Sequence, residues 1–333
     1  MINKYIIGAA IALAFTSCSK DIENKPLDFD VTVSKKDGTV SDTYTTNDSL
    51  NFVFKGNPDL ITFYSGEVGR QYINKDRTSA DGTPILQFTS LRATGSQANS
   101  LALLISSDFK GIASKPGTTV RDTAVTNVNI ANAEWSNITT NAVLSTGSAI
   151  TSGDIDLSSF ANLGKPVYIA FKYVATAGTI QNKWTITALS LINKLADGSS
   201  YTIGNLGAPN TEIKNYGVTT YSPGWWVSYD EAKNANKYPW VFTAGTSLVI
   251  TGAATAVAAT ASAEAWAIMG PIDLRKVSPD VGVGLKSMIA KMESYPYKYP
   301  TATQSEPTFV AANSTVDGSS TIVKQVQVTI KKP

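Results

Sequence analysis

The side chains best equipped to hold a ligand crowd together in Tyr221-Ser222-Pro223-Gly224-Trp225-Trp226-Val227-Ser228-Tyr229-Asp230, with Tyr238-Pro239-Trp240 close behind. Flat aromatic faces stack on the C–H face of a pyranose ring, and neighbouring carboxylates and hydroxyls reach its hydroxyl groups. Trp225 and Trp226 are adjacent, so a strand turns them to opposite faces. One is then expected in the core and the other exposed as a stacking surface. Trp225, Trp226, Tyr229, Asp230 and Trp240 are the expected ligand-binding set. The competing reading is structural, with one indole in a core and the other at a domain interface, since tryptophan is mostly buried. Trp135, Trp184 and Trp266 are expected in the core.

Other chemistries are constrained by absence. The chain has no histidine and one cysteine, Cys18, so Ser-His-Asp and Cys-His catalysis as usually built is excluded. Zinc sites relying on His and Cys ligands go with them. Carboxylates remain. Asp154 and Asp156 are two apart, and Asp230-Glu231 adjoin the tryptophans. A glycoside hydrolase would need two carboxylates about 5–10 Å apart across a cleft, and nothing in the spacing points to one, so no catalytic residue is assigned. No cofactor is expected; Asp108 and Glu67 could ligate a structural calcium through oxygen.

These residues must be positioned by β-structure. Ser49–Phe54, Val167–Tyr173, Ser247–Ile250 and Lys324–Ile330 alternate or are β-branched and aromatic, and turn signals such as Asp37-Gly38, Asn57-Pro58-Asp59, Asp81-Gly82 and Asp197-Gly198 separate such runs. Helical candidates are few: a turn at Asp230–Ala235 and another at Leu285–Met292. Many short strands with Gly/Pro turns imply an all-β fold of sandwiches or jelly rolls. Net charge is +2 with 16% charged residues, and there is no Lys/Arg cluster of the kind nucleic acid requires, so no nucleic-acid partner is expected.

The N-terminus reads as a targeting segment. Lys4 precedes an apolar run from Tyr5 to Phe15, too short for a stable membrane span but with the length and flanks of a secretory signal. Phe15-Thr16-Ser17-Cys18 resembles a bacterial lipobox, which implies removal of residues 1–17 and lipidation of Cys18. Residues 18–26 read as a charged tether; Ser19-Lys20-Asp21-Ile22-Glu23 resembles the surface-export signal of lipoproteins from glycan-foraging Gram-negative bacteria. Asp48-Ser49-Leu50 and Asp122-Thr123-Ala124 resemble an O-glycosylation acceptor of exported proteins in such bacteria, a motif too permissive to weigh much.

Two separated segments resemble halves of one PKD-type, immunoglobulin-like sandwich. Residues 27–84 hold LNFVFKG, a turn and LITFYSG; residues 291–333 hold a Tyr-Pro segment, PTFVAANS, a turn at Asp317-Gly318 and VKQVQVTI. Neither half has enough strands to close alone, so the domain is expected to be discontinuous. Between them, residues 85–290 carry LLISSDFKG, Ala133-Glu134-Trp135, SGDIDLSSF, KPVYIAFKY and Trp184-Thr185-Ile186 in that order. They resemble jelly-roll modules of the choice-of-anchor and cleaved-adhesin type. The whole arrangement, including SPDVGVGLK at 278–286, is similar to uncharacterised surface lipoproteins of glycan foragers. The resemblance implies an outer-membrane protein, lipid-anchored and facing outward, that captures glycan or polysaccharide for a neighbouring transporter complex and is not an enzyme. An adhesive or structural protein that binds protein partners, and less readily a carboxylate-based glycoside hydrolase, are the alternatives.

Overall fold

A computed structural model describes residues 27–118, 120–207, 224–287, 290–315 and 318–333. Residues 1–26, which carry Cys18, Tyr221 to Pro223, and Asp317 of the expected final turn lie outside the described residues. The described chain is all-β, in several open sheets consistent with β-sandwiches. It separates into two compact units, one from the chain up to Ile73 together with Val281–Pro333, the other Asn74–Asp280. The divisions fall at 73/74 and 280/281, against 84/85 and 290/291 read from the sequence. The later one moves because Val283–Lys286 is a strand that pairs with Leu60–Tyr64 of the first unit, which also replaces the expected helical turn from Leu285.

In the first unit, strands from the two ends of the chain interlock. Leu50–Lys55 lies between Asp30–Lys35 and Ser294–Tyr297. Leu60–Tyr64 lies between Val283–Lys286 and Thr308–Thr315. Thr43–Thr45 runs parallel to Val328–Lys331. Alternation drives this: in Leu50-Asn51-Phe52-Val53-Phe54, Leu50, Phe52 and Phe54 turn inward, and Phe52, Phe63 and Phe309 meet with centroids 4.9–5.8 Å apart. The closing run expected at 324–330 is two strands, Gly318–Gln325 and Val328–Lys331. The first pairs with Thr308–Thr315, while the second leaves that sheet to pair with Thr303–Ser305 and Thr43–Thr45.

The second unit packs two sheets face to face. One has five strands in the order Gly224–Ser228, Ala263–Ile272, Val167–Ala175, Leu101–Ser106, Ser136–Asn137. The other is built around Lys183–Lys194, paired on one side with Thr83–Thr94 and on the other with Ser247–Thr251 and Ser200–Asn205. Between them lies an apolar cluster that includes Phe88, Phe171, Trp184, Trp225 and Trp240. Phe88 and Phe171 meet edge to face at 5.1 Å, a geometry that suits the ring quadrupoles. The Trp184 indole donates to Ser100 Oγ at 2.9 Å, so its one polar atom is satisfied inside the core.

The ends of this unit are held together. Ala80 N donates to Arg275 O, Val277 N to Thr78 O and Asp280 N to Asn74 O, at 2.9–3.1 Å. Arg77 then pairs with Asp280 at 2.7 Å, their side chains 15% and 1% exposed, and also donates to the Tyr201 hydroxyl at 2.5 Å. A buried pair of this kind is costly to break from one side, because the remaining charge is stranded.

Among the described residues no helix is long and apolar enough to cross a membrane. Among the described residues the longest helix, Thr123–Asn132, shapes the second unit. The sequence reading placed none there, since β-branched Thr123, Val125, Thr126, Val128 and Ile130 are poor helix formers. Asp122 compensates as N-cap, its Oδ1 accepting from Val125 N at 3.0 Å. The helix covers the outer face of the five-stranded sheet.

Candidate groove on the outer face of the five-stranded sheet

Alternation along Gly224–Ser228 sends Trp225 to the inner face and Trp226 to the outer one, as expected. Neither becomes an exposed stacking surface. Trp225 is 1% exposed, near-parallel to Phe171 and Phe242 at 6.4 and 5.9 Å, and its indole donates to Asn205 O at 3.0 Å. Trp226 is 4% exposed in a second cluster, beneath the helix, with Phe109, Ile130, Tyr168 and Trp266, and the Arg121 guanidinium lies 3.9 Å above its ring. Trp240 is 2% exposed. The physical reason is that both faces of this sheet are covered, so the face opposite the core is not solvent. Tyr229 is half-buried against the inner core, and its backbone carbonyl accepts from Asn127. Of the five expected ligand-binding residues only Asp230 borders an open site.

That site is a groove of about 880 Å³ between the helix and the outer sheet face, within the span of about 300–1,000 Å³ common for ligand sites. Ala124, Asn127, Val128 and Ala131 form the helix wall, one stripe at i, i+3, i+4, i+7. The helix is fixed in place by side chains: Asn127 Oδ1 accepts from Ser228 Oγ at 3.0 Å, and Asn129 Nδ2 donates to Gly111 O at 3.0 Å. The floor follows from strand register. Lys172 lies opposite Trp266, and Val174 opposite Glu264, while Ala102 lies opposite Lys172 on the next strand. In Ala263-Glu264-Ala265-Trp266-Ala267-Ile268 the alanines turn to the inner core, and Glu264, Trp266 and Ile268 turn outward.

Trp135 closes one side. It is half-buried, its ring 5.2 Å from that of Trp266 and inclined at 45°, and its indole donates to Ile130 O at 3.0 Å. It was expected in the core; instead it borders the groove, because it lies on the covered outer face at the margin of the helix. Trp266 is buried as expected but on that outer face, and its edge reaches the groove.

Four charges gather here. Glu264 accepts from the Trp266 indole at 3.0 Å, pairs with Lys172 at 3.0 Å and lies 3.9 Å from Lys233. The Lys172 ammonium sits 5.0 Å over the Trp266 ring. Burial pushes the Glu264 carboxyl up, but the Trp266 hydrogen bond and the two lysines pull it further down, so it titrates below its ordinary value of 4.5. Asp230 completes the set, with Oδ1 accepting from Ala232 N in a tight turn rather than a helix. This arrangement can hold polar groups on a half-apolar platform; a carboxylate kept ionised and paired on both sides is poorly placed to donate a proton.

The other carboxylates singled out in the sequence are occupied locally. Asp108 Oδ1 accepts from Ser106 Oγ and Glu134 N, and Glu67 accepts from the Tyr297 hydroxyl at 2.5 Å. Among the described residues no three Asp, Glu, Cys or His side chains gather as a metal site. Lys172, Glu264 and Trp266 were missed as a group. A lone lysine in the apolar run Val167–Ala175 was the signal, since a half-buried charge requires a partner.

No curated protein and no solved structure matches the chain. A family profile matches residues 17–209, more than half of the 333 residues, and that stretch includes the helix, Trp135 and Lys172. The chain therefore belongs to the family described as domain of unknown function DUF5017.

Proposed function

We propose that this protein is a lipid-anchored outer-membrane protein, facing outward, whose second unit captures glycan without catalysis for a neighbouring uptake system. One observation carries the reading: a half-buried indole, Trp135, beside paired charges and carboxamides in an open groove. Aromatic faces supply contact for the apolar side of a sugar, and the polar groups set its orientation. The doubly paired Glu264 supports a binding role over a hydrolytic one. We read the first unit as an immunoglobulin/PKD-like sandwich and the second as a jelly roll, from the interlocked strands of one and the two facing sheets of the other.

The anchor reading rests on Cys18 and the apolar run before it. Two or more acyl chains hold a protein stably where one is marginal. Labelled palmitate is expected in the membrane-bound protein and lost, with membrane attachment, in Cys18→Ala. The binding reading is tested by affinity gels and a glycan array with the full chain and Trp135→Ala. Retention by a defined polysaccharide, lost in that variant, is the expected result. A second reading has its own support: Val125 and Val128 on the helix are 47% and 55% exposed, which suits a protein partner. Glycan failure across plant, host and microbial sets, with binding that requires Val128, would favour it.

A further inference from the structure

We infer that the groove is selective for neutral glycan and excludes polyanionic polysaccharides; this rests on the glycan reading above. The argument is a charge balance. Two lysines, Lys172 and Lys233, face two carboxylates, Asp230 and Glu264, so the formal charges of the groove cancel. The lysine deeper in the sheet is also committed. Lys172 pairs with Glu264 at 3.0 Å and lies over Trp266, and both partners are about three-quarters shielded from solvent, with side chains 27% and 24% exposed.

A uronate or sulfated sugar at Lys172 would bring a second negative charge beside the partly buried Glu264 carboxylate, with one close cation between the two, a costly state. Lys233 offers little instead, since it is 54% exposed and already leans on the same carboxylate at 3.9 Å. A polycationic ligand meets the mirror problem, because Glu264 is equally engaged. Neutral hydroxyls meet neither. An ammonium has three N–H donors and a carboxylate about four lone-pair positions, so a paired Lys172 and Glu264 still have capacity for a group that both donates and accepts. Asn127, held by Ser228 and Tyr229, and Asn137, whose Oδ1 accepts from Thr139 N, each keep at least one further amide N–H and one oxygen lone pair at the groove. Trp135, packed against Phe109 and Trp266 at 5.4 and 5.2 Å and bordering the groove, supplies apolar contact for ring C–H groups.

The test compares retention of the full chain in affinity gels of neutral polysaccharides (mannan, xylan, β-glucan) and acidic ones (polygalacturonate, hyaluronate), at low and high salt. Expected is retention by a neutral polymer that salt barely changes, weakened at least about tenfold in Trp135→Ala and largely kept in Trp135→Phe. Glu264→Gln is expected to shift the groove by one positive charge and to gain salt-sensitive retention by an acidic polymer. Unfolding curves of each variant check that the groove is intact. Acidic retention by the unaltered chain, screened by salt and lost in Lys172→Met, would overturn the neutral class and leave the glycan reading standing. Neutral retention indifferent to Trp135 would overturn the groove as its site. Retention by neither set would overturn both.

Discussion

The two faces of the five-stranded sheet are made by the same strands, and they differ in what covers them. The inner face meets another sheet, and Trp225, Phe171 and Met269 are sealed in a continuous apolar core. The outer face meets a single helix and a loop, which bury Trp226 and Trp266 but leave a groove where Lys172 and Glu264 must satisfy each other. Two full layers of β-structure exclude water along their length, whereas a ten-residue helix shields only part of a wider surface. The continuous apolar core lies on one side of the sheet and the open groove on the other.

Four substitutions or conditions probe that division. Trp225→Ala is expected to cost the most, about 3–5 kcal/mol, read from chemical denaturation of the full chain. Trp226→Ala should cost less, about 1–3 kcal/mol, because the helix can settle over the gap; an equal loss would break the distinction between the faces. Trp135→Ala is expected to change stability by about 1 kcal/mol or less while removing glycan retention. If it unfolds the protein, the groove wall belongs to the core.

The smallest effect is with pH. Glu264 titrates lower in the fold than when free, so its contribution is fully present above its ordinary value near 4.5 and is lost as pH falls through the lower folded value. Melting temperature against pH should therefore drop less steeply below that value in Glu264→Gln than in the unaltered chain. Identical slopes would mean that the cluster contributes nothing to holding the floor together.

How much of this could be read beforehand depends on the length of the pattern. Adjacent tryptophans had to diverge on a strand, and Trp225 and Trp226 do. What alternation cannot tell is whether the second face meets water. That depended on the helix at Thr123–Asn132, whose composition argues for a strand and whose one local signal is the cap at Asp122. Without that helix, one of the two adjacent indoles is expected at solvent and Trp135 in the core; the helix covers Trp226 and leaves Trp135 half-buried at the groove. The floor was more accessible. Ala-Glu-Ala-Trp-Ala-Ile separates small residues from large ones with period two, which places Glu264 and Trp266 on one face without any tertiary knowledge. The pairing of Glu264 with Lys172, some ninety positions earlier, could come only from strand register.

The clasp of Arg77 and Asp280 bears on ancestry. Because residues 74–80 and 275–280 leave the second unit side by side, the chain that hosts it has only a short gap to span, and closing a short gap costs little chain entropy. A segment with adjoining ends can be gained, dropped or exchanged by in-frame recombination without breaking the strand pairings of the unit that hosts it. The family profile at residues 17–209 runs from the first unit into the second, so relatives of this chain are expected to carry the two together, with gain or loss of the second unit confined to the joint at residues 74–80 and 275–280.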